Sequence, residues 1–123
     1  QLIHCVTRKS GFFLKIFLFP ISVKQDMPKF FRPPMGKFSE ESLKMTKDLG
    51  YSSIFWSFAY VDWYNNQQPT HDFAKNKIYS RTHPGAIVLL HSNSQTNSEI
   101  LDDVITHWKE EGYTLKSLNN LKK

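Results

Sequence analysis

The chain has 123 residues, a formal net charge of +5 and 15% aromatic residues, so it is neither disordered nor long enough for a complete α/β barrel of the usual size. Its single cysteine, Cys5, excludes both an internal disulfide and a cysteine-based zinc site. The lysines and arginines are scattered, with no run longer than a pair, so the charge favours solubility and an anionic wall surface over nucleic acid.

Residues 1–24 are unlike the rest of the chain. Their apolar run, residues 11–23, contains Lys15 and Pro20 and lacks a small-residue cleavage site, so it predicts neither a complete signal peptide nor a membrane-spanning helix. The phenylalanines of this run follow neither the helical nor the strand period. A buried strand or helix is expected there, and residues 1–24 are treated as an atypical N-terminal segment.

From residue 25 onward, strands and helices alternate, which is typical of an α/β fold. A short strand at 29–32 is expected to end at Pro33, because proline donates no hydrogen bond to a strand ladder. Ser39 is the predicted N-cap of a helix that Gly50 ends. The inner face of this helix is expected to hold Leu43, Met45, Thr46 and Leu49.

The second half of the chain continues the alternation. The predicted elements are a strand at 53–58, a helix at 72–81, a strand at 86–91, a helix at 97–111 and a final strand at 114–116. The strand at 86–91 is almost continuously apolar, as strands buried on both faces are. The last helix carries its apolar residues on one face, and Gly112 is its predicted stop.

Three islands each join a strand-like apolar run to a polar residue at or near its end. They are FRPPMG at 31–36, FAYVDW at 58–63 and IVLLH at 87–91. In open and barrel-type α/β proteins, the ends of strands carry the chemistry. The islands supply Arg32, Asp62, Trp63 and His91. A guanidinium, a carboxylate, an aromatic wall and an imidazole are groups from which part of a hydrolytic site is built.

In this order and with these neighbours, the islands resemble the later motifs of the polysaccharide deacetylases, the NodB-like carbohydrate esterases of family 4. Three sequence segments are most similar to the delta-lactam-biosynthetic muramic acid de-N-acetylases, namely FRPPMGKFS at 31–39, TKDLGY at 46–51 and FWS at 55–57. The family's earlier Thr-Phe-Asp-Asp-Gly and His-Ser/Thr-x-x-His-Pro motifs do not occur. The resemblance therefore implies that residues 25–123 are the C-terminal half of a distorted (β/α) barrel.

The resemblance also implies a role for each residue on one side of the site. His91 takes the place of the general acid that protonates the leaving amine, and Asp62 holds the imidazole in position. Trp63 walls the sugar site, and Leu89 lines the pocket for the acetyl methyl group. The chain departs from the general family pattern at Ala59, where many members have an acid.

On the other side of the site, the resemblance pairs Arg32 with the catalytic-base aspartate of the family. The backbone N–H near Met35 is expected to help stabilise the oxyanion, and Pro34 and Met35 are expected to contact the substrate. Many members have tyrosine where this chain has Met35. The oxyanion contact uses the backbone and therefore survives that change.

By resemblance, the family uses a divalent metal, with zinc expected, which an aspartate and two histidines hold and which activates a water molecule. No such ligands are identified in this chain. His83 with Pro84 mimics the end of the metal motif, but Tyr79 stands where the other histidine would be. His83 is therefore assigned to a turn, and His71 lies outside the usual ligand spacing.

The predicted function is that of a partial deacetylase whose family hydrolyses the N-acetyl group of a peptidoglycan amino sugar. N-acetylmuramic acid of the spore cortex is the expected substrate, and the expected location is extracellular, in the cell wall or the spore. Without the metal and base motifs, the chain is expected to be inactive unless it is complemented. An upstream frameshift or truncation is the hypothesis for residues 1–24.

Two alternatives belong to other functional classes. The first is a non-catalytic, wall-binding or structural remnant that uses Trp56, Trp63 and the positive charge. The second is a nucleic-acid-binding module, which ranks below it because no recognised nucleic-acid-binding motif occurs. N-acetylmuramic acid, N-acetylglucosamine and chitin oligomers stay open as substrates, since each presents the same acetamide.

Overall fold

The computed structural model describes residues 2–8, as backbone, and residues 28–121. The apolar run at 11–23 lies outside the described residues. The chain divides into two compact units, a smaller one at Pro20–Phe55 and a larger one that joins Gln1–Phe19 to Trp56–Lys123. Across the described residues, no helix is both long and apolar enough to cross a membrane.

The described elements form an α/β fold. In chain order, the strands are β1 (Leu2–Arg8), β2 (Phe30–Phe31), β3 (Ser52–Ser53), β4 (Ala86–Leu90) and β5 (Tyr113–Leu115), and the α-helices are α1 (Glu40–Asp48), α2 (His71–Arg81) and α3 (Gln95–Glu110). Short 3-10 turns lie at Pro34–Gly36 and Leu118–Asn120.

In the smaller unit, β2 and β3 pair in parallel, and α1 connects them. The predicted N-cap is confirmed, since the Ser42 N–H donates to Ser39 Oγ at 3.1 Å and the Ser39 N–H donates to Ser42 Oγ at 2.8 Å. This reciprocal pair satisfies amide groups that the start of a helix leaves unbonded. Gly50 follows the helix at a φ of +79°, a conformation that glycine adopts readily, so the predicted end is also confirmed.

The predicted inner face of α1 is only partly right. Leu43 and Thr46 are partly buried, but Met45 is 59% exposed and Leu49 is 71% exposed. The described strand that packs on α1 is β3, and its two residues cover little of a nine-residue helix. The helix forms where the periodicity predicts it, but its buried stripe is narrower than predicted.

In the larger unit, β1 lies between β4 and β5 and is antiparallel to both. Phe58 forms a separate parallel bridge with Val88 of β4. The prediction of one strand at 53–58 is therefore wrong, because Ser52–Ser53 pairs with β2 while Phe58 pairs with β4. The apolar pattern of a segment does not show that its first residues pair with one strand and its last residue with another.

The core of the larger unit joins β4 to α2 and α3. It consists of buried side chains, namely Phe58, Tyr60, Ala74, Ile78, Ala86, Val88, Leu90, Ile100, Val104 and Trp108. Trp108 is fully buried, and its indole N–H donates to Thr82 Oγ1 at 2.9 Å, so its one polar group is satisfied. This packing fixes β4, whose C-terminal end leads into the candidate site.

Helix α3 begins at Gln95, earlier than the predicted start at residue 97. Ser94 is the N-cap, and its Oγ accepts from the Asn97 N–H at 3.2 Å. A capping serine that lies outside the apolar period explains the difference. The helix ends before Gly112, at a φ of +81°, as predicted. The earlier start brings Asn97 into the first turn of α3.

Candidate functional site

Two segments of the larger unit meet at the C-terminal end of β4. The strand ends at Leu90, so His91 is the first residue beyond it. The parallel bridge between Phe58 and Val88 sets the segment that leads to Asp62 alongside the strand. The chain then turns into α3, whose N-cap is Ser94.

Asp62 and His91 form a buried hydrogen-bonded pair. His91 Nδ1 lies 2.6 Å from Asp62 Oδ1, and the His91 backbone N–H donates to Asp62 Oδ2 at 2.8 Å. The Asp62 side chain is fully buried, whereas the His91 side chain is 16% exposed. Because an ionised carboxylate only accepts, Nδ1 carries a proton and Nε2 is the nitrogen left for other chemistry. No residue in the described part of the chain forms a hydrogen bond with Nε2.

Sequence reasoning missed two further buried residues of this network, Tyr60 and Asn97. Asn97 Nδ2 donates to Asp62 Oδ2 at 2.5 Å and to His91 O at 3.2 Å. The Tyr60 hydroxyl donates to Asn97 Oδ1. Burial and the charge of Asp62 raise the pKa of Tyr60 above its ordinary value. The available signal for Asn97 is its spacing from Ser94, which places it in the first turn of a serine-capped helix.

Trp63 lies beside the pair. Its ring meets the His91 ring edge-on with the centroids 5.3 Å apart, and the residue is 42% exposed. The loop that carries it is held by Asn93, whose Nδ2 donates to Trp63 O at 2.9 Å, and by Gln68, whose Nε2 donates to Tyr64 O at 2.9 Å. A partly open indole next to an imidazole can pack against a flat apolar ligand face.

Leu89 is buried in β4, with 2% of its surface exposed. Its N–H donates to Phe58 O at 3.1 Å. Because strand side chains alternate, Leu89 lies on the opposite face from Val88 and Leu90, which join the core, and on the same side as His91. Its role in an acetyl pocket stays a prediction.

Arg32, Pro34 and Met35 lie in the smaller unit. Met35 takes a φ of +54°, alone in this region among the described residues other than glycine, and its N–H bonds to no described residue. The left-handed conformation costs a side-chain-bearing residue roughly 1–2 kcal/mol, and such strain clusters at functional sites. Burial lowers the pKa of Arg32. The roles of these three residues stay predictions.

The residues that the structure describes do not fit a metal site. Within them, no group of three or more His, Cys, Asp or Glu side chains is placed to hold a metal ion. Asp62, the fully buried carboxylate, already accepts three hydrogen bonds. No described residue is therefore assigned as a metal ligand.

The other histidines with described side chains contact different residues. His83 Nδ1 is 3.0 Å from the backbone carbonyl of the next residue at an exposed turn, as expected. His71 pairs with Glu99 at 2.7 Å on the surface. His107 packs against Tyr79 with the ring centroids 3.9 Å apart.

The chain is similar in sequence and structure to known proteins. No protein-family model matches it. It is 49% identical over 104 residues to the peptidoglycan-N-acetylmuramic acid deacetylase PdaA of Bacillus subtilis, an alignment that covers 85% of this chain and 39% of PdaA. The solved structure of PdaA, a family 4 carbohydrate esterase, matches with a TM-score of 0.71 and 51% identity over 75% of this chain and 39% of that structure. The chain belongs to carbohydrate esterase family 4, the polysaccharide deacetylases.

Further similarities to family 4 proteins support this assignment. A family 4 pseudoenzyme from Bacillus anthracis matches with a TM-score of 0.68 and 34% identity over 76% of this chain and 32% of that structure. A peptidoglycan-N-acetylglucosamine deacetylase of Bacillus cereus is 30% identical over 98 residues, which is 76% of this chain and 34% of that protein. The chain spans 39% of PdaA and 34% of the second deacetylase. The family resemblance carried by the three islands is confirmed.

Proposed function

We propose that this chain forms the proton-donating side of a deacetylase that removes the acetyl group from an amino sugar of peptidoglycan. The supporting observation is the contact between Asp62 Oδ1 and His91 Nδ1, beside the partly exposed ring of Trp63. The fold proposed for residues 25–123 is the C-terminal half of a distorted (β/α) barrel. The likeness to the PdaA structure supports this fold.

In N-deacetylation, the oxygen of water adds to the acetyl carbon, the carbon–nitrogen bond breaks, and the departing amine takes a proton. His91, charged as an imidazolium, gives that proton from Nε2. The ring is then neutral with its remaining proton on Nδ1, which is the tautomer that Asp62 accepts from. Of the two neutral tautomers, Asp62 therefore selects the one that remains after Nε2 has given its proton.

The remaining predicted residues keep the roles that the resemblance gives them, with Trp63 and Leu89 in the larger unit and the others in the smaller unit. Trp63 packs against the sugar, and Leu89 lines the pocket for the acetyl methyl group. Pro34 and Met35 contact the substrate, with the Met35 N–H at the oxyanion, and Arg32 pairs with the base aspartate of a complete family member. The described residues include no group that could hold a metal ion, so no role in activating water is assigned to them.

N-acetylmuramic acid is the proposed sugar, and the cell wall or spore is the proposed extracellular location. The identity to PdaA, whose name specifies N-acetylmuramic acid, supports this choice over N-acetylglucosamine. The N-acetylglucosamine deacetylase of Bacillus cereus is more distant at 30% identity.

A chimera tests the chemistry. Residues 25–123 replace the matching part of PdaA, and acetate release from acetylated peptidoglycan is measured. We expect the chimera to release acetate and His91→Gln to slow it by about 100-fold or more, since general acid–base groups contribute that much. His71→Gln changes an exposed histidine and is expected to leave the rate unchanged. A folded chimera that keeps its rate after His91→Gln contradicts the proposal.

A second candidate is a non-catalytic protein that binds wall glycan. The exposed neighbours Trp63 and Tyr64, with ring centroids 5.7 Å apart, favour it, and a family 4 pseudoenzyme is among the related structures. Retention of the full chain on peptidoglycan without acetate release in added Zn²⁺ supports this candidate. Trp63→Ala is expected to weaken retention, whereas Phe73→Ala, at a similarly exposed aromatic residue, is not. Acetate release from the full chain excludes it.

The hypothesis that residues 1–24 result from an upstream frameshift or truncation stays a prediction. Reading the upstream DNA in all frames tests it. A Thr-Phe-Asp-Asp-Gly motif in another frame supports the hypothesis, and its absence contradicts it.

A further inference from the structure

Three donors hold the Asp62 carboxylate, and the imidazole is only one of them. Oδ1 lies 2.6 Å from His91 Nδ1, while Oδ2 accepts from the His91 N–H at 2.8 Å and from Asn97 Nδ2 at 2.5 Å. Asn97 thus supplies one of the two bonds to Oδ2. The position of the carboxylate, and with it that of the ring, depends in part on this amide.

The surroundings of Asn97 allow one orientation of its amide. Nδ2 faces two acceptors, Asp62 Oδ2 and His91 O, while Oδ1 faces the Tyr60 hydroxyl. A reversed amide would set its oxygen against the carboxylate. Asn97 is 6% exposed, so a lost partner is not readily replaced by water. Burial and the charge of Asp62 raise the pKa of Tyr60, so the hydroxyl keeps the proton that it donates.

We propose that Asn97, supported by Tyr60, is a positioning residue that holds the Asp62 carboxylate in line with the His91 ring. This inference rests on the proposed function, in which His91 gives a proton to the leaving amine. Asn97 has no contact with the ring nitrogens and acts through Asp62.

A neutral donor suits this place better than a cation. Asn97 fixes Oδ2 without cancelling the charge of Asp62, so that charge stays available to stabilise the imidazolium of His91. A lysine or arginine would share the carboxylate and weaken this support. The same amide also bonds to His91 O, so one side chain ties the carboxylate to the backbone at the end of β4.

The test uses the full chain with nitrogen-15-labelled histidine. NMR reports which ring nitrogen of His91 is protonated and how fast the Nδ1 proton exchanges with water. In the neutral ring, the Nδ1–H tautomer is expected to dominate. Asn97→Leu keeps a similar volume but removes both polar atoms, and it is expected to speed the exchange about tenfold and increase the other tautomer. Tyr60→Phe is expected to speed the exchange by a smaller factor, because Asn97 still donates.

Thr96→Val is the matched control. Thr96 is 3% exposed and lies in the same helical turn, and its hydroxyl donates to Pro69 O at 2.7 Å without contacting Asp62. This variant is expected to lose stability but keep the exchange rate and tautomer of His91. The proposal is overturned if Asn97→Leu matches Thr96→Val in both ring measurements. If Asn97→Leu does not fold, Tyr60→Phe decides, and an exchange rate equal to that of the unmodified chain overturns the proposal.

These measurements are made without substrate, so their outcome does not depend on deacetylation. A His91→Gln chimera that keeps its rate rejects the proposed function. A His91 ring that Asn97→Leu leaves unchanged rejects the positioning role alone.

Discussion

Two histidine–carboxylate pairs in the larger unit have nearly the same length and very different surroundings. His91 Nδ1 lies 2.6 Å from Asp62 Oδ1, and His71 Nε2 lies 2.7 Å from Glu99 Oε2. The Asp62 side chain is fully buried and that of His91 is 16% exposed, whereas those of His71 and Glu99 are 51% and 43% exposed. Contact distance therefore does not separate a candidate site from a surface ion pair.

The difference lies in what else holds each carboxylate. Asp62 is itself fully buried and is fixed by the ring and the backbone N–H of His91 and by Asn97. Glu99 accepts from His71 and from Gln95 on its own helix, and water competes for both. A buried polar group that loses a partner is costly, while an exposed one rebinds water. Only the buried pair is confined to one geometry.

The largest expected effect comes from Asp62→Asn. An amide nitrogen in the place of Oδ2 faces two donors, the His91 N–H and Asn97 Nδ2, while one in the place of Oδ1 faces His91 Nδ1, which accepts only in the other neutral tautomer of the ring. We expect the free energy of unfolding to fall by about 3 kcal/mol, as for loss of a buried, hydrogen-bonded charge. Urea denaturation followed by circular dichroism measures it.

Glu99→Gln is the matched control at the exposed pair. It replaces the same chemical group in contact with the same kind of partner, and we expect its unfolding midpoint to fall by far less than that of Asp62→Asn. A similar loss in both variants would show that burial does not distinguish the pairs.

The sequence locates Asp62 and His91 because each follows an apolar run that matches a motif of the family. It does not locate Tyr60 and Asn97 as partners, since Asn97 bonds to residues 35 and 37 positions away and no local spacing encodes such a pairing. Only the packing of α3 beside the segment that carries Tyr60 and Asp62 creates it. Long-range polar networks are thus the part of this site that one sequence conceals.

Which side chains of α1 are buried also depends on packing between elements that are distant in the sequence. The N-cap at Ser39 and the end at Gly50 are local features, and the sequence predicts both correctly. Exposure of Met45 and Leu49 depends on which elements pack beside the helix, and a helical period alone does not contain that information.

An intermediate effect is expected at high pH from Tyr60. Burial and the Asp62 charge raise its pKa in the folded chain, while the unfolded chain has the ordinary value of about 10. The folded state holds the proton more tightly, so this contribution is full below that pH and is lost as the pH rises toward the folded pKa, by less than about 1.4 kcal/mol per pH unit. Burial also raises the pKa of Tyr79, so Tyr60→Phe is expected to reduce the slope without abolishing it.

Urea midpoints measured across the alkaline range test this expectation. Tyr64→Phe removes an exposed hydroxyl and is expected to keep the full slope of the unmodified chain. A Tyr60→Phe variant with the same slope as Tyr64→Phe would contradict the coupling between Tyr60 and the buried pair.

The smallest expected effect is on the stability of the folded chain at low pH, through Glu99 of the exposed His71–Glu99 pair. Hydrogen bonds, first from Gln95 and then from His71, hold the pKa of Glu99 below its ordinary value. The folded chain releases this proton more readily, so the contribution is present above the ordinary pKa of about 4.3 and is lost as the pH falls through the folded value. Glu99→Gln is therefore expected to lose slightly less stability than the unmodified chain on acidification.

High salt sharpens the same comparison. Exposed charges are screened, so the small difference at low pH caused by Glu99→Gln is expected to vanish at high ionic strength. The Asp62→Asn loss is expected to persist, because the buried carboxylate is out of reach of counterions. Urea midpoints at low and high salt measure both, and equal salt sensitivity would contradict the distinction. The response of stability to salt therefore distinguishes the buried pair from the exposed pair, although their contact distances are nearly equal.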